Sequence, residues 1–254
     1  MEALPTLEDD GLTTPTVGEW GQEKYQLVRC YAQVFATSMK NAFECRVYID
    51  LFAGSGRAKL RDSNRIVPAS PILVLSINDP FDRYVFCDLS EHNLEALRLR
   101  KERGFAARRA EFVPGDVNKK IDEVIGLIPQ HSKSFRVLTF CFVDPFNIDD
   151  LKFETIRALA VGGRKIDFLI LVPSGMDAQR NWKRENALYA DFLGTANWRT
   201  NWEKERHAGR TFANFFVDEF ARSMERNWLQ MGGRSNGPSN KERKKLKDVP
   251  LNFF

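Results

Sequence analysis

Continuous apolar runs alternate along this chain with stretches whose apolar positions recur every three or four residues. The first periodic stretch covers residues 20–43. Tyr25, Val28, Ala32 and Phe35 mark one face, and Leu27, Tyr31 and Val34 widen it, which predicts a long amphipathic helix. Residues 46–50 predict a strand that ends in a small-residue turn, 51–56. A polar, basic segment (57–65) follows, and a helix starts near Pro71. Residues 84–87 predict a second strand running into Asp88, with Ser90 capping a helix to about Arg103. A third strand, 109–113, closes in Pro114-Gly115-Asp116 and leads to a helix ending near Ile128. Residues 136–143 form an almost wholly apolar strand that ends in Asp144-Pro145-Phe146-Asn147. A helix over 151–161 and a fifth strand over 166–172 complete the series.

Strands that alternate with helices imply parallel βαβ units, and unbroken apolar runs suit strands covered on both faces. The expected class is therefore α/β, with a Rossmann-like, doubly wound and mainly parallel sheet. Residues 1–18 read as a flexible leader and 19–175 as the Rossmann-like domain. Residues 176–232 read as a helical extension, with Phe212, Phe215, Phe216 and Phe220 as its core stripe, and 233–254 as a basic tail.

Charge changes this picture little. The tail holds six basic residues against two acidic ones, which is the whole net charge of +4; the remaining 32 basic and 32 acidic residues balance. A generic polyanion binder is not expected from such a body. Cys30, Cys45, Cys87 and Cys141 are scattered, as are the three histidines, so neither a zinc site nor a disulfide framework is expected. No apolar run reaches membrane-spanning length, and the acidic start does not fit a secretory signal; a soluble, cytoplasmic protein is the expectation.

The chemistry lies at the strand ends. Four of the five expected strands end in, or run directly into, an acid: Asp50, Asp88, Asp116 and Asp144. In open parallel sheets ligands bind beyond the carboxyl ends of the strands. Acids gathered there repel unless a cation or a hydrogen-bond donor is shared among them. Gly54-Ser55-Gly56 lacks both the third glycine of a dinucleotide fingerprint and the Lys of a P-loop. The rim therefore suits a cationic nucleoside such as S-adenosylmethionine (SAM) better than a nucleotide phosphate. Asp79-Pro80-Phe81 repeats the tripeptide at 144–146, but it follows a helical run and reads as a turn.

The segment Val47-Tyr48-Ile49-Asp50-Leu51-Phe52-Ala53-Gly54-Ser55-Gly56 resembles the first motif of class I SAM-dependent methyltransferases, especially those that act on nucleic acid. Several pieces in order resemble the three-Cys-motif partner protein family. They are a leading helix with Lys24, this turn, Ser70-Pro71, residues 84–88, Gly115-Asp116-Val117-Asn118 and Val143-Asp144-Pro145-Phe146. The resemblance implies SAM as cofactor. Asp50 would act on its methionine amino group through the Gly54/Gly56 turn, Asp88 on the ribose and Asp116 on the adenine amine, with Phe52, Leu89 and Val117 beside them. Asp144, Pro145 and Phe146 would form the catalytic segment, where Asp144 accepts from an exocyclic amine and Phe146 stacks on the base. One proline stands where amino-methyltransferases carry two, so the aromatic arrives a position early. The hairpin that finishes a methyltransferase sheet is not legible after residue 174. Only residues 250–254 look strand-like there, which leaves a C-terminus shorter than in relatives as an expectation.

Basic residues next to these elements, Arg57, Lys59 and Arg61 with Arg65, and Arg180 and Lys183 beside Trp182, are candidate substrate contacts. Two functions stay open. One is methylation of a nucleic acid, with a base amine favoured. The other is a non-catalytic scaffold that docks a radical-type, three-cysteine-motif protein.

Overall fold

The computed structural model describes residues 3–175, 182 and 186–230. In chain order the first elements are β1 (Thr16–Val17), α1 (Trp20–Met39), β2 (Cys45–Asp50), β3 (Arg57–Leu60), β4 (Ile66–Pro68) and α2 (Ser70–Leu75). Then come β5 (Arg83–Asp88), α3 (Glu91–Phe105), β6 (Ala110–Pro114), α4 (Val117–Gly126), β7 (Val137–Val143), α5 (Phe153–Ala160) and β8 (Ile166–Ile170). The five expected strands pair in parallel in the order β6-β5-β2-β7-β8. The chain starts in the middle, builds outward to β6, and crosses back to add β7 and β8. This is a Rossmann-like, doubly wound sheet, and its order reverses between β2 and β7. Asp50 is in register with Phe86 on one side and Phe142 on the other, so the chemistry-bearing ends of three strands lie together.

Burial explains why these runs become central strands. Every residue of β2 is buried, and on one face of the sheet Tyr48 packs against Phe81, Phe86 and Phe140 with ring centroids 5.5–6.2 Å apart. The α1 stripe covers the same cluster through Val28, Ala32, Phe35 and Ala36. Val28 and Phe35 each contribute on the order of 1.5–3 kcal/mol when sealed from water. α1 ends at Met39, earlier than its periodicity predicts. Nearby, Arg46 joins three segments, donating to Asp82, to the Ala36 carbonyl and to the Pro80 carbonyl. Asp79-Pro80-Phe81 lies outside regular structure between α2 and β5, as its context predicts.

Two expectations need correcting. The basic segment after the glycine turn is an antiparallel pair, β3 and β4, turned at Asn64 with φ 54°. Ala58, Leu60 and Val67 point inward and Arg57 and Lys59 lie between them, so the strand alternation was hidden by its charge. The leader is not loose. β1 pairs with β3, Leu7 bridges to Ile66, Leu4 is buried, and Asp10 is ion-paired to Arg100 at 2.7 Å. All of these partners lie far along the chain, where local composition carries no sign of them.

The chain divides into two compact units, Met1–Pro145 with Ala158–Leu171, and Phe146–Arg157 with Val172–Phe254. The second contains α6 (Asn186–Leu193), α7 (Trp198–His207) and α8 (Phe212–Gln230). Phe212, Phe215, Phe216 and Phe220 are buried as the spacing predicts, and they pack on Phe192, Trp202 and Tyr189. Among the described residues no helix is long and apolar enough to cross a membrane.

Candidate functional site

The site is built outward from the end of β2. Asp50 is fully buried and accepts from Ser70 Oγ (2.8 Å), Tyr48 OH (3.2 Å) and the Phe52 N–H (3.2 Å). Burial drives its carboxyl up to about 7, and the nearby Asp144 charge pushes the same way against those hydrogen bonds. Asp50 is thus not on the ligand rim where the strand-end pattern puts it. It anchors the glycine turn from within, and Ser70 is its principal partner.

The turn then reverses the chain through two left-handed glycines, Gly54 at φ +60° and Gly56 at φ +81°. They differ in surroundings. A Cβ on Gly54 would meet nothing within 4 Å, whereas one on Gly56 would come within 2.7 Å of Leu97 Cδ1 and 2.9 Å of Ile72 Cγ1. Gly56 lets the turn sit down on α2 and α3, and Gly54 presents bare backbone to open space.

The neighbouring strand ends are wired to this turn. Gly54 N–H donates to Asp88 Oδ2 at 2.8 Å, and the other oxygen accepts from the Ser90 N–H and Asn93 Nδ2. Ser90 caps α3 as its sequence predicts. The Asp88 carbonyl accepts from the Gly115 N–H, which brings the β6 end alongside. Asp116 caps α4 through Oδ1, and its Oδ2 lies 3.6 Å from the exposed Lys119 ammonium. Asp88 and Asp116 are both half-buried. Leu89, between the strand and the capped helix, is 74% exposed. Val117 is buried and gives the site no surface, contrary to its expected place beside a cofactor; as the first residue of α4 it faces the core.

On the other side of β2, Asp144 leaves β7 and meets Lys24 of α1 at 2.5 Å. Lys24 is buried against aromatic faces, its ammonium 4.6 Å from the Trp20 ring centre and 5.0 Å from that of Tyr25. Burial drives the Tyr25 hydroxyl far up, and the Asp144 and Asp50 charges add to the effect. Lys24, Tyr25, Asp50 and Asp144 therefore share one electrostatic cluster behind the sheet edge. Pro145 is buried, and Phe146 is 81% exposed.

The basic candidates take other places. Arg57 turns to the leader, donating to the Glu8 carbonyl and pairing with Asp10 at 3.3 Å. Lys59 stands in β3 opposite Thr16, and Arg61 is exposed just beyond. Arg180 and Lys183 lie outside the described residues. One residue was missed. Arg100, buried on α3, donates to Asp10 and to the carbonyl and hydroxyl of Ser55, so it holds leader and glycine turn together. Its signal was present, because Leu94, Leu97 and Arg100 continue one buried stripe at a spacing of three.

No protein-family model matches the chain, and no curated protein matches it. Among solved structures, an S-adenosylmethionine-dependent methyltransferase from Clostridium acetobutylicum is 18% identical over 57% of this chain and 50% of its own, with a TM-score of 0.34. The Escherichia coli protein yhhF, provisionally named a methyltransferase, is 18% identical over 68% of this chain and 77% of its own, with a TM-score of 0.37. Protein LPL1258 of Legionella pneumophila is 14% identical over 52% of this chain and 61% of its own, with a TM-score of 0.36.

Proposed function

We propose that this chain binds SAM across the ends of β2, β5 and β6 and is a methyltransferase acting on an amine nitrogen, with a nucleic acid as the favoured bearer. The observation that carries the reading is the Gly54–Asp88 hydrogen bond. It joins a turn of bare backbone to a carboxylate that keeps acceptor capacity, next to an exposed leucine.

The donor set fits that cofactor. A carboxylate offers about four lone-pair sites, and Asp88 uses three, which leaves one for a ribose hydroxyl. Asp116 Oδ2, whose neighbour Lys119 is exposed and stands off at 3.6 Å, takes the adenine amine, and Leu89 offers an apolar face to the purine. The open side of Gly54 leaves room for the methionine part, and Asp50 acts only by shaping the turn. When bound, SAM supplies an electrophilic methyl group on a sulfonium sulfur. The part played by this chain's own residues is alignment. Lys24 holds Asp144 Oδ2, so Asp144 Oδ1 accepts from the amine and directs the nitrogen lone pair.

The same Lys24–Asp144 pair favours a second reading, because it neutralises the carboxylate an amine would need. In that reading the chain keeps the cofactor fold without turnover and docks a three-cysteine-motif protein. Calorimetry with SAM on the wild type and on Asp88→Asn, followed by transfer of labelled methyl to RNA and DNA, separates the two. Binding with transfer supports the enzyme, and binding without transfer supports the scaffold. Absence of heat in the wild type overturns the enzyme and favours the scaffold.

A further inference from the structure

On the α2 and α3 side of the glycine turn, the leader, α2 and the end of α3 line a half-open cavity of about 460 Å3. Four arginines line it, Arg29, Arg57, Arg100 and Arg103, against one acidic residue, Asp10. Asp10 is already committed to Arg100 at 2.7 Å and to Arg57 at 3.3 Å. Arg29 and Arg103 are exposed and have no carboxylate partner among the described residues. Leu7, Ile72 and Phe105 provide apolar wall between these charges.

Like charges that converge on one hollow repel unless an anion or water lies between them, and four positive groups set against one negative leave a surplus of three. A guanidinium fork matches the oxygens of a phosphate in two parallel hydrogen bonds. The volume falls within the range of small-molecule sites, roughly 300–1,000 Å3. We propose that this cavity is a binding site for a small phosphate monoester with an apolar body. The dianionic head is held by Arg29, Arg57 and Arg103, and the body lies on Ile72 and Phe105. Arg100 is consumed by Asp10 and Ser55, so it forms the wall and is not a contact. The proposal is independent of SAM binding at the sheet edge.

Phenyl phosphate is the probe, with phenol and inorganic phosphate as controls, read by calorimetry and thermal shift on the full chain. Phenyl phosphate is expected to bind and raise Tm, phenol to do neither, and inorganic phosphate to bind more weakly. The double variant Arg29→Ala/Arg103→Ala removes exposed, unpartnered groups, so its own Tm is expected to match the wild type while phenyl phosphate affinity falls about tenfold or more. Equal affinity in the double variant, or equal response to phenyl and inorganic phosphate, overturns the proposal.

Discussion

Lys24 Nζ lies 2.5 Å from Asp144 Oδ2, with the lysine side chain 7% exposed and the aspartate 18%. Removing one partner of a buried pair leaves an uncompensated charge, whereas replacing both by apolar groups avoids that cost. Lys24→Met is expected to destabilise the chain by about 3 kcal/mol, at the low end for such pairs because Asp144 still reaches water. The double variant Lys24→Met/Asp144→Leu should cost clearly less than the two single changes added together. Urea unfolding of the four proteins measures the coupling, and simple additivity would show that the pair does not hold α1 to the sheet edge.

Asp50 carries the second prediction. Its carboxyl titrates near 7 in the folded chain against an ordinary value of 3.8, chiefly because it is sealed from water. Between these two values the folded chain holds a proton that the unfolded chain has released, so stability falls as pH rises through the interval. The whole fall amounts to about 4 kcal/mol at 1.36 kcal/mol per unit. Asp50→Asn keeps an acceptor for the Phe52 N–H, turns an amide donor towards the Ser70 and Tyr48 hydroxyl oxygens, and has nothing to titrate. The variant should lose this decline, and at pH 8 its disadvantage should shrink or reverse. Parallel slopes for both proteins between pH 5 and pH 8 would refute the assignment.

Asp50 also shows where reading from sequence runs out. The central strands β5, β2 and β7 were legible because strands buried on both faces run almost continuously apolar, and the edge strands β6 and β8 through their alternation with helices. The Ser90 cap was legible because it acts within one turn of helix. An acid at the end of a strand was legible too, but not the direction of its oxygens, which depends on Ser70 arriving from α2. Lys24 and Asp144 are 120 residues apart and meet only because α1 crosses β7. In β3, an alternation of Arg, Ala, Lys and Leu over four residues is too short to stand out from a polar loop.

The two glycines of the turn should respond differently to the same methyl group. Gly54→Ala places a side chain in open space at φ +60°, a conformational cost of about 1–2 kcal/mol, and fills the side proposed for the cofactor. Gly56→Ala adds to a similar backbone cost a clash with Leu97 and Ile72, for a total of about 3–4 kcal/mol. Gly54→Ala is therefore expected to remain folded while losing SAM binding, and Gly56→Ala to lose several degrees of Tm first. A Gly54→Ala protein that binds SAM like the wild type would move the cofactor elsewhere.

Arg100 makes the last prediction, because its guanidinium, 2% exposed, receives Asp10 from the leader and donates to Ser55 in the turn. The Arg100 hydrogen bonds hold the Asp10 carboxyl down at about 2. A lowered carboxyl contributes stability above its ordinary value and loses it as pH falls towards the folded one, so this clasp is complete at neutral pH and weakens below about pH 4. Asp10→Ala leaves a buried guanidinium with only neutral acceptors, at a cost of about 2–3 kcal/mol. The loss should be local at first, since residues 8–14, between the Leu7–Ile66 bridge and β1, are tied to the rest of the chain through Arg57 and Arg100. A protease that cuts after glutamate should then reach Glu8 much faster in Asp10→Ala than in the wild type, and faster in the wild type at pH 3.5 than at pH 7 once rates are corrected for the enzyme's own pH dependence. If Glu8 is cut equally fast in both proteins at pH 7, some other contact ties the leader down and Arg100 only fills space.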